Sequence, residues 1–277
     1  MARQPRLSLN GQLHHVLLRG NGQQTVFADD EDRALWLSLL ARYAPDMGVD
    51  VHAWALMPDH IHLLLTPRLA LPAVQQPVGS SVVLSVVSSV PPALVQSVAL
   101  RPAGDLSGFI QALGRAYVQA FNRRHGRRGS LWEGRYRSTV LEPHPWLLRA
   151  MVWMDSHPLR SGLAEQAGAH PWTSAAHYLG QTTARCITVP PQYWALGNTP
   201  FAREAAYRTL LEQGCDAASV SVLTQASLKG WALGSPAFVA ALQLQSPRRL
   251  EKRRPGRPVT RIKSEDSDLQ EVMASGS

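Results

Sequence analysis

Two histidines flanking one isoleucine, His60 and His62, and a tyrosine further along, Tyr117, are the residues whose types and spacing carry chemistry here. Side chains two positions apart on a strand share a face at roughly 7 Å, so the pair can offer two neutral imidazole nitrogens to one divalent ion. A hard ion at work on phosphate also needs oxygen donors, water and the phosphate itself. A structural zinc site is not indicated, since no cysteine or third histidine stands nearby in the sequence. Beside such an ion a phenol can attack in line. Its oxygen bonds to phosphorus, the 3′ oxygen leaves as a hydroxyl, and the DNA becomes joined through its 5′-phosphate; the free 3′-hydroxyl can later reverse or transfer the link. Tyr136, among Glu133, Arg135 and Arg137, competes with Tyr117, which is preferred because a helix-borne tyrosine can face the imidazoles. Both residue types also have ordinary uses, as strand histidines and as core tyrosines.

The elements that must position these groups are legible from pattern. His14 to Leu18 reads as a strand running into the turn signal Arg19-Gly20-Asn21-Gly22, and Asp29 or Asp30 caps a helix over Glu31 to Tyr43. Val51 to Met57 and Ile61 to Thr66 read as a hairpin around Met57-Pro58-Asp59-His60. Alternation then puts His60, His62 and Leu64 on one side and Ile61, Leu63 and Leu65 on the other. A second helix starts at Asp105 or Ser107 and shows Phe109, Ile110, Leu113, Ala116, Tyr117 and Phe121 on a broad face; Gly129 to Leu141 reads as a last strand. Strand, helix, strand, strand, helix, strand predicts an α+β, ferredoxin-like antiparallel sheet with both helices on one face. The expected domains are a catalytic unit over 8–145, a helical extension over 146–245 and a disordered basic tail over 246–277. In the extension, Pro145 to Ser156, Ala164 to Leu179 and Phe201 to Leu244 read as helical. Residues 70–104 interrupt the catalytic unit as an insertion or long loop. Val78 to Leu100 is apolar enough to raise a membrane span, but Pro91-Pro92 and the serines Ser80, Ser81, Ser85, Ser88 and Ser89 argue against it.

Charge points the same way. Of 28 basic residues only Lys229, Lys252 and Lys263 are lysine, and the net charge is +8. Arginine suits phosphate oxygens, though arginine-rich coding produces the same bias. Between Arg101 and Arg160 ten arginines face four acidic residues, with Arg123, Arg124, Arg127 and Arg128 packed together. That is an electrostatic footprint for nucleic acid, or else a solvated helix end. Trp132 is a candidate platform for an unpaired base. In the tail, Arg254 and Arg257 sit in Arg254-Pro255-Gly256-Arg257-Pro258, similar to a minor-groove hook. Two cysteines, Cys186 and Cys215, in no close array fit a reducing, cytoplasmic setting.

Taken together, Pro58-Asp59-His60-Ile61-His62-Leu63-Leu64-Leu65, His15-Val16 with Arg19-Gly20-Asn21, Gly114-Arg115-Ala116-Tyr117-Val118 and Leu131-Trp132-Glu133-Gly134-Arg135-Tyr136 resemble the REP-associated tyrosine transposases, of the HUH single-strand nuclease superfamily. The likeness covers about residues 8–180 apart from 70–104, and Gly230-Trp231-Ala232-Leu233-Gly234 also fits. It implies a one-tyrosine enzyme that cuts and joins single-stranded DNA beside hairpins of repetitive extragenic palindromes, using Mg²⁺ or Mn²⁺. His60 and His62 would be the ligands and Tyr117 the nucleophile. Arg19, Asn21, Arg115, Arg123, Arg124, Arg127, Arg128, Trp132, Arg135 and Arg137 would lie toward DNA. A nucleoid-associated monomer or homodimer away from membranes is expected. The alternatives are a catalytically silent DNA-hairpin binder and an RNA-hairpin binder. The sequence departs from the family where a polar residue one turn past the tyrosine should complete the metal site. Ala120 and Phe121 stand there, and Asn122, about 140° further round the helix, could ligate only if the helix is distorted. Residues 70–104 are the second departure, longer than the usual connection.

Overall fold

The computed structural model describes residues 7–70 and 103–251. Most of the expected insertion (71–102) and the Arg254 and Arg257 hook lie outside the described residues. The strands are β1 (Leu13–Arg19), β2 (Val49–Leu56), β3 (His60–Pro67) and β4 (Arg137–Leu141), all antiparallel in the order β2-β3-β1-β4. Helices α1 (Asp30–Asp46) and α2 (Leu106–Arg124) complete the βαββαβ order. The α+β, ferredoxin-like expectation holds. Asp29 caps α1 by accepting from the Asp32 amide at 3.1 Å, and Asp105 caps α2 from Gly108 at 2.9 Å.

Strand alternation divides the core in two. Val16, Leu18, Ile61, Leu63 and Leu65 pack beneath α1 and α2 with Trp36, Leu40, Phe109 and Leu113. Leu13, Ala53, Ala55 and Leu64 point the other way, toward α3 (Pro143–Asp155) and the helices after it, α4 (Pro200–Gln213) and α5 (Ala217–Lys229), with α6 (Pro236–Gln245) following. The sheet is therefore covered on both faces. Sheet and extension share one apolar layer, in which Met151, Met154, Tyr178 and Tyr207 lie fully buried. Each large side chain so buried is worth about 1.5–3 kcal/mol.

Two expected elements are shorter than their pattern. The strand read over Gly129 to Leu141 is extended only from Arg137, because Gly129 (φ +90°) and Gly134 (φ +76°) turn the chain into a loop that meets β1 at a single Gly20–Trp132 bridge. The helix read over Ala164 to Leu179 forms only at Ala175–Tyr178; Gly168 (φ +79°) and Pro171 break what precedes it. Among the described residues no helix is long and apolar enough to cross a membrane.

Candidate metal centre and nucleic-acid interface

β3 brings His60 and His62 out on one face, as alternation requires, with their rings 4.9 Å apart. A third imidazole joins them from a distant part of the chain. His157 follows Ser156 where α3 ends, and its Nε2 lies 2.9 Å from His60 Nε2. One nitrogen from each of His60, His62 and His157 falls within 4.8 Å of the others, a grouping that can hold a metal ion. His157, a lone histidine before a proline, carries no periodic signal in the sequence.

Hydrogen bonds assign the tautomers of the two strand histidines. The Asp59 carboxylate, 2.6 Å from His60 Nδ1, can only accept, so His60 carries its proton there and leaves Nε2 bare. Ser227 donates to the Leu223 carbonyl at 2.6 Å, so its oxygen is free to accept from His15 Nδ1 at 3.0 Å. His15 Nε2 is then bare and accepts from His62 Nδ1 at 2.8 Å, which frees His62 Nε2. A carboxylate or other acceptor behind a ligating histidine is the usual way its orientation is fixed. In the His60 contact the proton belongs to His157 Nε2, and His157 Nδ1 is buried without a partner, so the proton must move to Nδ1 for Nε2 to ligate an ion.

Burial keeps this cluster neutral. It pushes the His62 pKa well below its ordinary value, reinforced by His15, His60 and His157, and takes His15 to about 3 and His157 to about 4. His60 is lowered too, by burial first, with Asp59 opposing. Neutral imidazoles are what a cation needs, so the residues present fit a divalent ion.

The site opens to a cavity of about 260 Å³ whose walls include Arg19, Trp153, Arg160 and Thr224. Trp153 lies edge-on to His62 at 5.1 Å and parallel to His157 at 6.4 Å, forming an apolar wall. Arg19 and Arg160 bring positive charge beside the imidazoles, suited to a phosphate. Arg19 also borders a second cavity, of about 410 Å³, with Gln111, Arg115, Trp132, Arg135 and Tyr136. Gly20 makes the turn between them possible, because a Cβ there would meet the Gln24 carbonyl oxygen at 2.2 Å.

Tyr117 does not face the imidazoles, contrary to the expectation. It lies in the core between the sheet and α1, on the side of Ile61 and Leu63, and is fully buried. Its hydroxyl donates to the Val26 carbonyl at 2.6 Å, and Trp36 packs edge-on against the ring at 5.1 Å. Burial pushes its pKa far up, so the phenol stays protonated. The physical reason is that α2 lays its apolar stripe on the sheet face of Val16, Leu18, Ile61 and Leu63, and Tyr117 belongs to that stripe. Tyr136 is no substitute; it packs in the same core and shares a hydrogen bond of 3.0 Å with Ser107. None of the six tyrosines of the chain lines the histidine cavity. Asn122 is on α2, which packs on the sheet face opposite the histidines, and its amide donates to the Gly129 carbonyl at 2.9 Å.

The arginines divide by partner. Arg115, Arg123, Arg128 and Arg135 are exposed, as is Asn21. Arg124, expected to bind DNA, is spent within the protein on Asp29 and Asp32 at 2.7 Å and Glu31 at 2.6 Å. Arg127 donates to Gln24 at 2.6 Å, and Arg137 to the Leu228 carbonyl at 2.7 Å. Trp132 packs against Trp36 at 5.8 Å but keeps an edge in the larger cavity, where its indole nitrogen has no partner.

No family model and no curated protein matches the chain. Among solved structures it is similar to a candidate transposase from Deinococcus radiodurans R1, at 20% identity and a TM-score of 0.29, over 58% of this chain and 98% of that one. It is also similar to a REP-associated tyrosine transposase bound to a REP hairpin, at 12% identity and a TM-score of 0.46, over 65% of this chain and 87% of that one.

Proposed function

We propose that this protein binds hairpin-forming single-stranded DNA and seats a backbone phosphate at a divalent ion held by His60, His62 and His157, without tyrosine-linked strand transfer. The observation that carries the reading is the convergence of those three imidazoles at a cavity flanked by Arg19 and Arg160. An ion there would neutralise phosphate charge and fix the position of phosphorus. Arg19 would hold phosphate oxygens, Arg160, whose guanidinium already donates to Ser156 and to the Trp153 carbonyl, would add positive charge, Trp153 would exclude water from one side, and the exposed Arg115 and Arg135 would carry the strand toward the larger cavity. The resemblance in the motifs around His60, Tyr117 and Trp132 supports hairpin DNA as the partner.

Scission through a 5′-phosphotyrosine on Tyr117 is the competing reading. It would require the phenol to leave its bond to Val26 and cross the sheet, which the packing around Trp36 opposes. The test is a labelled DNA hairpin with a single-stranded flank, incubated with the full chain and Zn²⁺, Mn²⁺ or Mg²⁺. The expected result is metal-dependent retention by anisotropy with no covalent protein–DNA species on a denaturing gel. A covalent species lost in Tyr117→Phe would establish the competing reading, and tighter retention of the RNA version would reassign the partner.

A further inference from the structure

We infer that His60, His62 and His157 form a nitrogen-donor site that selects an ion of the zinc class over magnesium, and that Ser227, acting through His15, is a positioning residue for it. The inference rests on the metal centre proposed above and deepens it.

The donor set is three imidazoles and contains no carboxylate oxygen. The Asp59 carboxylate is engaged behind His60 at its Nδ1. Magnesium demands near-octahedral oxygen and gives up its waters reluctantly, whereas imidazole suits zinc and its neighbours. Three protein nitrogens with one side open to a cavity also match the ligand count of zinc sites that keep a position for an exchangeable group.

Ser227 enters from α5, 212 residues from His15 in sequence. Its side chain, His15 and His62 are all buried, at 4%, 2% and 5% exposure, so water does not readily replace a lost partner in this chain of bonds. Because the Ser227 hydroxyl is spent on Leu223, its oxygen accepts, and His15 is held with the proton on Nδ1. Removal of that acceptor frees His15 to take the other tautomer, with a proton on Nε2 facing His62. His62 must then bare Nδ1 and protonate Nε2, the nitrogen that should meet the ion. The same helix brings Thr224 and Leu228 to the cavity wall, so α5 is part of the site.

The experiment is equilibrium binding of Zn²⁺, Mn²⁺ and Mg²⁺ to the full chain without DNA, by calorimetry and by competition with a chromophoric chelator. Zinc should bind at least about 100-fold more tightly than magnesium, with His157→Ala losing most of that affinity. Ser227→Ala should weaken zinc by about 10- to 100-fold, and Ser227→Thr should restore it. Melting of the chelator-treated variants and the ¹⁵N signature of His62 separate positioning from folding: Ser227→Ala should move the His62 proton from Nδ1. Magnesium bound as tightly as zinc, or Ser227→Ala with unchanged zinc affinity and an unchanged His62 signature, overturns the inference. Zinc binding by a chain that ignores hairpin DNA would uphold it and refute the proposed function; hairpin binding that requires magnesium or manganese in a chain that takes up no zinc would do the reverse.

Discussion

Tyr117 and His62 stand on opposite faces of the same four-stranded sheet. The phenol is packed with Ile61 and Leu63 beneath α1, while the imidazole is turned toward Trp153 and His157. Strand parity enforces this separation, because His62 lies between two residues of the tyrosine's own core. In this packing the phenol serves the core.

Replacing Tyr117 with Phe leaves the Val26 carbonyl without its buried donor, which should cost about 1–3 kcal/mol. Tyr117→Ala should cost more, about 3–5 kcal/mol, through the cavity beside Trp36. Denaturant unfolding measures both. Hairpin affinity of the folded Phe variant should match that of the parent, and a large loss without loss of stability would refute the structural role.

Asp59 tests the support behind His60. Asp59→Ala removes the acceptor that fixes the His60 Nδ1 proton, and zinc affinity should fall about 10- to 100-fold. Titration against a chelator reads this directly, and an unchanged constant would mean that the 2.6 Å contact does not orient the ligand.

Arg115 and Arg124 should separate binding from stability. Arg115 is exposed at the larger cavity, so Arg115→Ala should weaken DNA and reduce the salt slope by about 1. Arg124 is already neutralised by Asp29, Glu31 and Asp32, so Arg124→Ala should lower stability and leave the slope unchanged. The reverse pattern in salt titrations would show that the Arg124 cluster opens to phosphate.

Acid should loosen the join of α1 and α2. Burial raises the Asp32 pKa, but bonds from His125, the Ala28 amide and Arg124 outweigh it and hold the carboxyl below its usual range. A depressed folded-state pKa stabilises above the unfolded value of about 3.9, and that contribution is lost as pH falls through the folded value. Asp32→Asn should therefore reduce stability at pH 7 and flatten its decline below about pH 4. Parallel acid denaturation curves for the two proteins would contradict this.

The sequence alone determined the βαββαβ order, the hairpin around Asp59 and the common face of His60 and His62, because alternation and turn chemistry are local. It also contains a signal for the placement of Tyr117: its helical stripe of Phe109, Ile110 and Leu113 matches the apolar face of β3 better than the histidine face. Only the tertiary structure decided which sheet face α2 covers, and that the extension covers the other. It also joined His15 to His62, His157 to His60 and Ser227 to His15 across 47, 97 and 212 residues of chain. Periodicity states which side of an element is buried; the docking of one buried side on another is settled by packing among elements far apart in sequence, and the metal centre lies at such a junction.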